Sequence, residues 1–271
     1  MEIDKEKCVG CGNCHAVCTM GAICLEEDGK SAVNQDECVE CNTCYRVLRN
    51  EGYAPWFVRA VRKVLSAFRL GYLAEVDVCP TGALTPPELE WPRNLRAAFS
   101  DVSVPHAGTG LAGRGTEEIK TNDVTGRIRK GEAGIVVEMG RPGIGATFRD
   151  VERVAMAMAK LGPFFEPQNP VTQLMTDPQT GKMKEEILGE KVLSAIIEMK
   201  VTQEKIPETF RALEAVQKEV DTVISVGISS RCFPDGTAPH EEWMKKLGYR
   251  LSPNGKTNLG LGRPRFREDR T

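Results

Sequence analysis

Nine of the ten cysteines in this 271-residue chain lie between Cys8 and Cys79, and the tenth, Cys232, stands alone far downstream. Such crowding restricts the N-terminal segment to disulfide, metal or thiol-redox chemistry. The start, Met1-Glu2-Ile3-Asp4-Lys5, lacks the basic and then apolar stretch of a secretory signal, and no run of about 18 apolar residues occurs. The sequence therefore predicts a cytoplasmic protein without a transmembrane segment, where clustered cysteines are read as metal ligands or redox groups before disulfides. A net charge of -2 makes no global case for nucleic acid as a partner.

Cys8, Cys11, Cys14 and Cys18 form C-x2-C-x2-C-x3-C, and Cys38, Cys41 and Cys44 repeat its first three members. Cysteines at this spacing wrap a tight backbone around one cluster, so that three thiolates reach three irons while amide N–H groups point at the sulfides. Where a fourth cysteine of the second run would stand, the chain reads Tyr45-Arg46-Val47-Leu48. Its counterpart comes later, as Cys79-Pro80-Thr81-Gly82-Ala83-Leu84, which parallels Cys18-Thr19-Met20-Gly21-Ala22-Ile23. Paired structural zinc sites are the plain alternative, but zinc takes cysteines in pairs and these come in triplets.

On these residues the segment resembles the bacterial two-[4Fe-4S] ferredoxins, in which the last cysteine of each run ligates the other cluster. The resemblance implies that Cys8, Cys11, Cys14 and Cys79 hold cluster one, and Cys38, Cys41, Cys44 and Cys18 hold cluster two. It departs from the pattern in Thr19, where proline is usual, and in the insertion over 45–78 that precedes Cys79. Cys24, in the apolar run Ala22-Ile23-Cys24-Leu25, reads as a small buried hydrophobe, and Cys232 as structural.

The insertion predicts an amphipathic helix after Pro55, with Phe57, Val61, Val64, Leu65 and Phe68 on one face and Arg59, Arg62, Lys63 and Arg69 elsewhere. Packing across the ferredoxin core, docking to a partner and lying on a membrane surface are its three readings. After Trp91-Pro92 the cysteines stop. Gly108, Gly110 and Gly113 formally match G-x-G-x-x-G, but no helix pattern follows, so a connecting loop or an anion- or cofactor-contacting loop with Arg114 is expected rather than a dinucleotide fold.

From Gly134 the pattern is regular. Ile135 to Met139 reads as a strand, Thr147 to Leu161 as a helix, Phe164-Phe165-Glu166 as a return, Lys191 to Lys200 as a strand, Pro207 to Val220 as a helix, and Thr222 to Ile228 as a strand. This doubled β-α-β order predicts a split βαβ (ferredoxin-like) sandwich. The passage from Leu193 to Ile228 resembles the ligand-sensing ACT-type version of that fold. Gly115 to Arg127 and Val137 to Gly145 are similar to the N-terminal electron-transfer portion of the 6-hydroxynicotinate reductase family. That family implies a flavin, on this chain or on a partner subunit, and reduction of an aromatic N-heterocycle in an anaerobic host. Arg263, Arg265, Arg267 and Arg270 form a basic tail that reads as solvated or as docking onto an acidic partner.

The sequence thus predicts an α+β protein of four parts: a two-cluster ferredoxin domain over 1–92 with a helical insertion over 45–78, a Gly-rich linker over 93–133, an ACT-like domain over 134–232, and an extension over 233–271. Electron transfer to a reductase or flavoprotein subunit is the first expectation, and the chain can be one of several in a homo- or hetero-oligomer. The competing classes are a reductase that binds flavin or substrate itself through Arg114, Arg127 and Arg141, and a ligand-responsive ferredoxin that serves sulfur or amino-acid metabolism.

Overall fold

Around the cysteines the elements are short, two to five residues each, and the insertion adds a longer helix. In the computed structural model, which describes residues 1–46, 55–68, 78–105 and 126–252, these are strand β1 (Glu2–Ile3), helix α1 (Asn13–Val17), strands β2 (Ile23–Leu25) and β3 (Ser31–Val33), helices α2 (Thr43–Arg46) and α3 (Pro55–Ala67), and strand β4 (Leu84–Thr85). Strands β2 and β3 form an antiparallel hairpin. Strand β1 pairs antiparallel with β4, Ile3 opposite Leu84, which returns the chain after the insertion to its own beginning.

Helix α3 forms where the periodicity predicts it, but packing across the ferredoxin core does not describe all of its apolar face. Trp56, Val64 and Phe68 are 69, 58 and 72% exposed, while Val61 and Leu65 are half-buried.

Helix α4 (Asn94–Ser100) follows, within the stretch that the sequence reads as linker. Then come β5 (Glu132–Met139), β6 (Ala146–Thr147), α5 (Phe148–Ala159), β7 (Phe164–Phe165), α6 (Pro170–Gln173), β8 (Met175–Asp177), β9 (Lys182–Met183), β10 (Lys191–Val192), β11 (Ala195–Thr202), α7 (Ile206–Val216), β12 (Ile224–Ser230) and α8 (Pro239–Lys246). The main sheet has the order β12-β5-β11-β7. All of its pairings are antiparallel, with Ile197 opposite Val137 and Val226 opposite Val137 on the other side.

The period of two explains the sheet's inner face: Ala133, Ile135, Val137 and Met139 alternate into one core with Ala195, Ile197, Met199 and Val201. Phe148, Val151, Ala155 and Met158 of α5 and Ile206, Phe210, Leu213 and Val216 of α7 join the same core at helical spacing. Leu95 and Phe99 of α4 join it too, Phe99 meeting Phe148 edge-on at 5.3 Å between ring centroids. So does Met244 of α8. A second, separate apolar cluster gathers Met1, Ala22, Ile23, Val78, Ala83 and Leu84 around buried cysteines.

The strand expected over 191–200 is broken at Leu193 and Ser194. Leu193 N–H donates to Ser100 Oγ at 2.9 Å, and Val192 pairs with Ala146 instead of joining the main sheet. Helix α5 starts one residue later than expected because Thr147 is its cap: Thr147 Oγ1 accepts Asp150 N–H at 3.2 Å and donates to Asp150 Oδ2 at 2.8 Å. Thr147→Ala is expected to cost about 1 kcal/mol, read as a lowered urea midpoint with an unchanged slope.

Candidate metal centres

Cys38, Cys41 and Cys44 stand in the second run where Cys8, Cys11 and Cys14 stand in the first, and the structure repeats with them. Gly10 and Gly12 of the first loop have φ of 66° and 72°, and their counterparts Glu40 and Asn42 have φ of 53° and 55°. This left-handed backbone turns the chain sharply between successive cysteines. Gly10 also has no room for a side chain, since a Cβ there would lie 2.0 Å from the carbonyl oxygen of Gly29. After each loop a short helix begins, placing Cys14 in α1 and Cys44 in α2. The C-x-x-G-A elements match as well: Ala22 N–H donates to Cys18 Sγ at 3.2 Å and Ala83 N–H to Cys79 Sγ at 3.1 Å, with Gly21 and Gly82 both left-handed.

The structure brings the eight cysteines together in two groups of four. Cys8, Cys11, Cys14 and Cys79 line one cavity, together with Ile3, Val78, Ala83 and Leu84. Cys18, Cys38, Cys41 and Cys44 line another, with Met1, Met20, Ala22 and Val39. Strand pairing β1–β4 carries Cys79 into the first group across the insertion.

The donor chemistry suits a cubane. Each cavity has four thiols and otherwise mainly apolar walls, and amide or hydroxyl hydrogens reach the sulfurs: Ser31 N–H to Cys8 Sγ at 3.4 Å and Thr43 Oγ1 to Cys41 Sγ at 3.3 Å. Thr19, which stands where proline is usual, adds its hydroxyl 3.7 Å from Cys41 Sγ. Each set of four thiols surrounds a cavity. That spread fits a multi-iron cluster better than tetrahedral zinc.

Local fields differ between the thiols. The Ser31 amide bond holds Cys8 below the usual thiol value. Burial would raise Cys79, but its bonds from Ala83 and Thr81 outweigh that and lower it. Cys44, in apolar surroundings and beside Cys41, is pushed up to about 12.

The remaining candidates lie elsewhere. Gly108, Gly110, Gly113 and Arg114 fall outside the described residues, as does the basic tail. Arg127 Nη1 lies 3.4 Å from Glu198 and 3.5 Å from Glu166. Arg141 Nε donates to Ser194 Oγ at 3.3 Å, and its Nη1 lies 3.8 Å from Glu138. Cys24 is exposed rather than buried, because the β2 strand turns Ile23 inward and Cys24 outward; Cys232 is exposed as well.

The sequence reading missed Glu40. It is 1% exposed and bonds the Met1 ammonium and Arg93, whose Nε and Nη2 lie 3.0 and 2.6 Å from Glu40 Oε1. Burial would raise its carboxyl, but the ammonium and the guanidinium together hold it below the ordinary value. The visible signal was a glutamate standing in the second run where the first has glycine.

Comparison with known proteins agrees with the N-terminal geometry. The family described as 4Fe-4S binding domain matches residues 1–23. The chain is 43% identical over 42 residues, 16% of its length, to pyruvate synthase subunit PorD of Methanocaldococcus jannaschii, and spans about half of that relative's length. No solved structure matches. No helix among the described residues is long and apolar enough to cross a membrane. The N-terminal part of this chain is therefore a 4Fe-4S ferredoxin-type domain that holds at least one such cluster.

Proposed function

We propose that the chain is the electron-transfer subunit of a multi-subunit oxidoreductase and holds two [4Fe-4S] clusters, one on Cys8, Cys11, Cys14 and Cys79 and one on Cys18, Cys38, Cys41 and Cys44. The single observation that carries this reading is the sorting of eight cysteines into two cavities of four. Each cluster, when bound, carries one electron at a time. The protein's own residues exclude water with apolar walls and set hydrogen bonds on the thiolates. The PorD likeness supports a subunit role.

The acceptor in this reading is a reductase or flavoprotein subunit of anaerobic metabolism, acting on an N-heteroaromatic substrate as the likeness to the 6-hydroxynicotinate reductase family implies. The sheet order β12-β5-β11-β7, made by two β-α-β units, supports a split βαβ, ACT-like second domain. Its boundaries follow the two apolar clusters, with α4 and α8 belonging to the second domain. Arg127 and Arg141, each beside carboxylates of this chain, favour a carrier over a flavin enzyme.

Protein purified under anaerobic conditions is expected to contain about eight irons and eight sulfides per chain and no flavin absorption. Zinc in place of iron overturns the reading, and a stoichiometric flavin band turns it toward a reductase in its own right.

A further inference from the structure

The matched cysteine runs let the two loops be compared position by position, and among the described residues the second is held in a way the first is not. In the first loop the left-handed positions are glycines. In the second they are Glu40 and Asn42, and both are tied to α4 or its cap: Glu40 by Arg93, and Asn42 Nδ2 by Asp101 Oδ2 at 2.9 Å. Arg96 reaches further. It is 5% exposed, and its Nη1 donates to the carbonyl oxygens of Cys38 and Gln35 at 2.8 Å each and of Asp36 at 3.3 Å, while its Nε pairs with Glu190. Helix α4 also belongs to the apolar core under the main sheet through Leu95 and Phe99. Beside it, Lys191 Nζ meets Glu37 Oε2 at 2.5 Å. Around the first loop, Cys11 is exposed and Val9 is 65% exposed.

We propose that Arg96 is a positioning residue that sets the polarity of the cluster pair. Its guanidinium raises the potential of the inner cluster, on Cys18, Cys38, Cys41 and Cys44, above that of the outer one, on Cys8, Cys11, Cys14 and Cys79, so that an electron comes to rest on the side of α4. This rests on the ligand sets proposed above. The physical cause is charge: a reduced cluster carries one more negative charge than an oxidised one. A cation held in a buried site against the ligand loop stabilises the reduced form. Glu190 partly neutralises that cation and so acts in the opposite direction. One electron arrives at the outer cluster from a low-potential one-electron donor protein. It then leaves that cluster, which is oxidised by one, for the inner cluster, which is reduced by one. No bond is made and no proton moves.

The test is a dithionite titration of the anaerobically loaded full chain followed by electron paramagnetic resonance, with Cys79→Ala used to assign the outer signal. Two midpoints are expected, the inner one higher. Arg96→Gln lowers the inner midpoint by a tenfold step in electron partition, about 59 mV for one electron. Glu190→Gln raises the inner midpoint, Arg96→Lys restores most of the parent value, and the outer midpoint stays in place throughout. Coincident midpoints in the parent, or shifts of the same sign in Arg96→Gln and Glu190→Gln, overturn the proposal while leaving the ligand sets intact. Fewer than two four-iron clusters in the parent overturns the ligand sets, and this inference with them.

Discussion

Cys79→Ala is expected to strip one site of its four-iron character, leaving between about four and about seven irons per chain instead of about eight, according to whether the site empties or keeps a three-iron cluster. The whole insertion separates Cys79 from Cys44, the last cysteine of the second run, so spacing alone does not place it. Strand β4 does, by pairing Leu84 with Ile3 and bringing the Cys79 thiol, fixed by the Ala83 amide, into the cavity of Cys8, Cys11 and Cys14. Cys24→Ala is the matched control. Its thiol lies on an exposed hairpin edge and lines neither cavity, so iron content and spectra should equal those of the parent. Iron analysis and electron paramagnetic resonance of the reduced proteins decide the matter, and a Cys79→Ala protein identical to the parent removes Cys79 from the site.

Gly10→Ala is expected to be the most damaging single methyl group in the N-terminal part. Two costs combine. A left-handed backbone costs an alanine about 1–2 kcal/mol, and forcing a Cβ to within 2.0 Å of the Gly29 carbonyl oxygen adds about 1–3 kcal/mol of overpacking. Backbone cannot yield as a flexible side chain would, so the β2–β3 turn must move, and Ser31, whose amide bonds Cys8, moves with it. The outer site should load poorly while the inner one loads normally. Gly12→Ala isolates the first cost: its φ is 72°, yet an added Cβ has nothing within 4 Å. It should be milder by about 1–3 kcal/mol in anaerobic thermal unfolding. Equal behaviour of the two variants would show that the Gly29 contact does not constrain the loop.

Seven of the eight cysteines that line the two cavities were legible as a repeat at local spacing, and the likeness of the segments after Cys18 and Cys79 pointed to the eighth. The helices α5 and α7 and strand β5 were legible for a related reason: their apolar residues follow a local period, and Thr147 and Pro207 mark starts. What was not legible depends on partners distant in sequence. The break between β10 and β11 comes from Ser100 bonding Leu193 and from Ala146 pairing with Val192. Helix α4 is short and has no side-chain cap, and its purpose shows only when Arg93 and Arg96 are seen against Glu40 and Cys38, in a loop far earlier in the chain. The exposed aromatic edge of α3 was hidden because a periodicity records that apolar residues share a side, and says nothing of what covers that side.

In the proposed ligand sets, the crossing of Cys18 and Cys79 between sites also sets the order in which the two sets of thiols are completed during synthesis. With the proposed ligands, the inner site is complete once Cys44 has left the ribosome, whereas the outer site must wait for Cys79, with the whole insertion made in between. A nascent chain therefore passes through a stage with one site finished and three orphan thiols, Cys8, Cys11 and Cys14, near its beginning. In that ligand set the insertion separates the completion of the two sets of thiols in the order of synthesis.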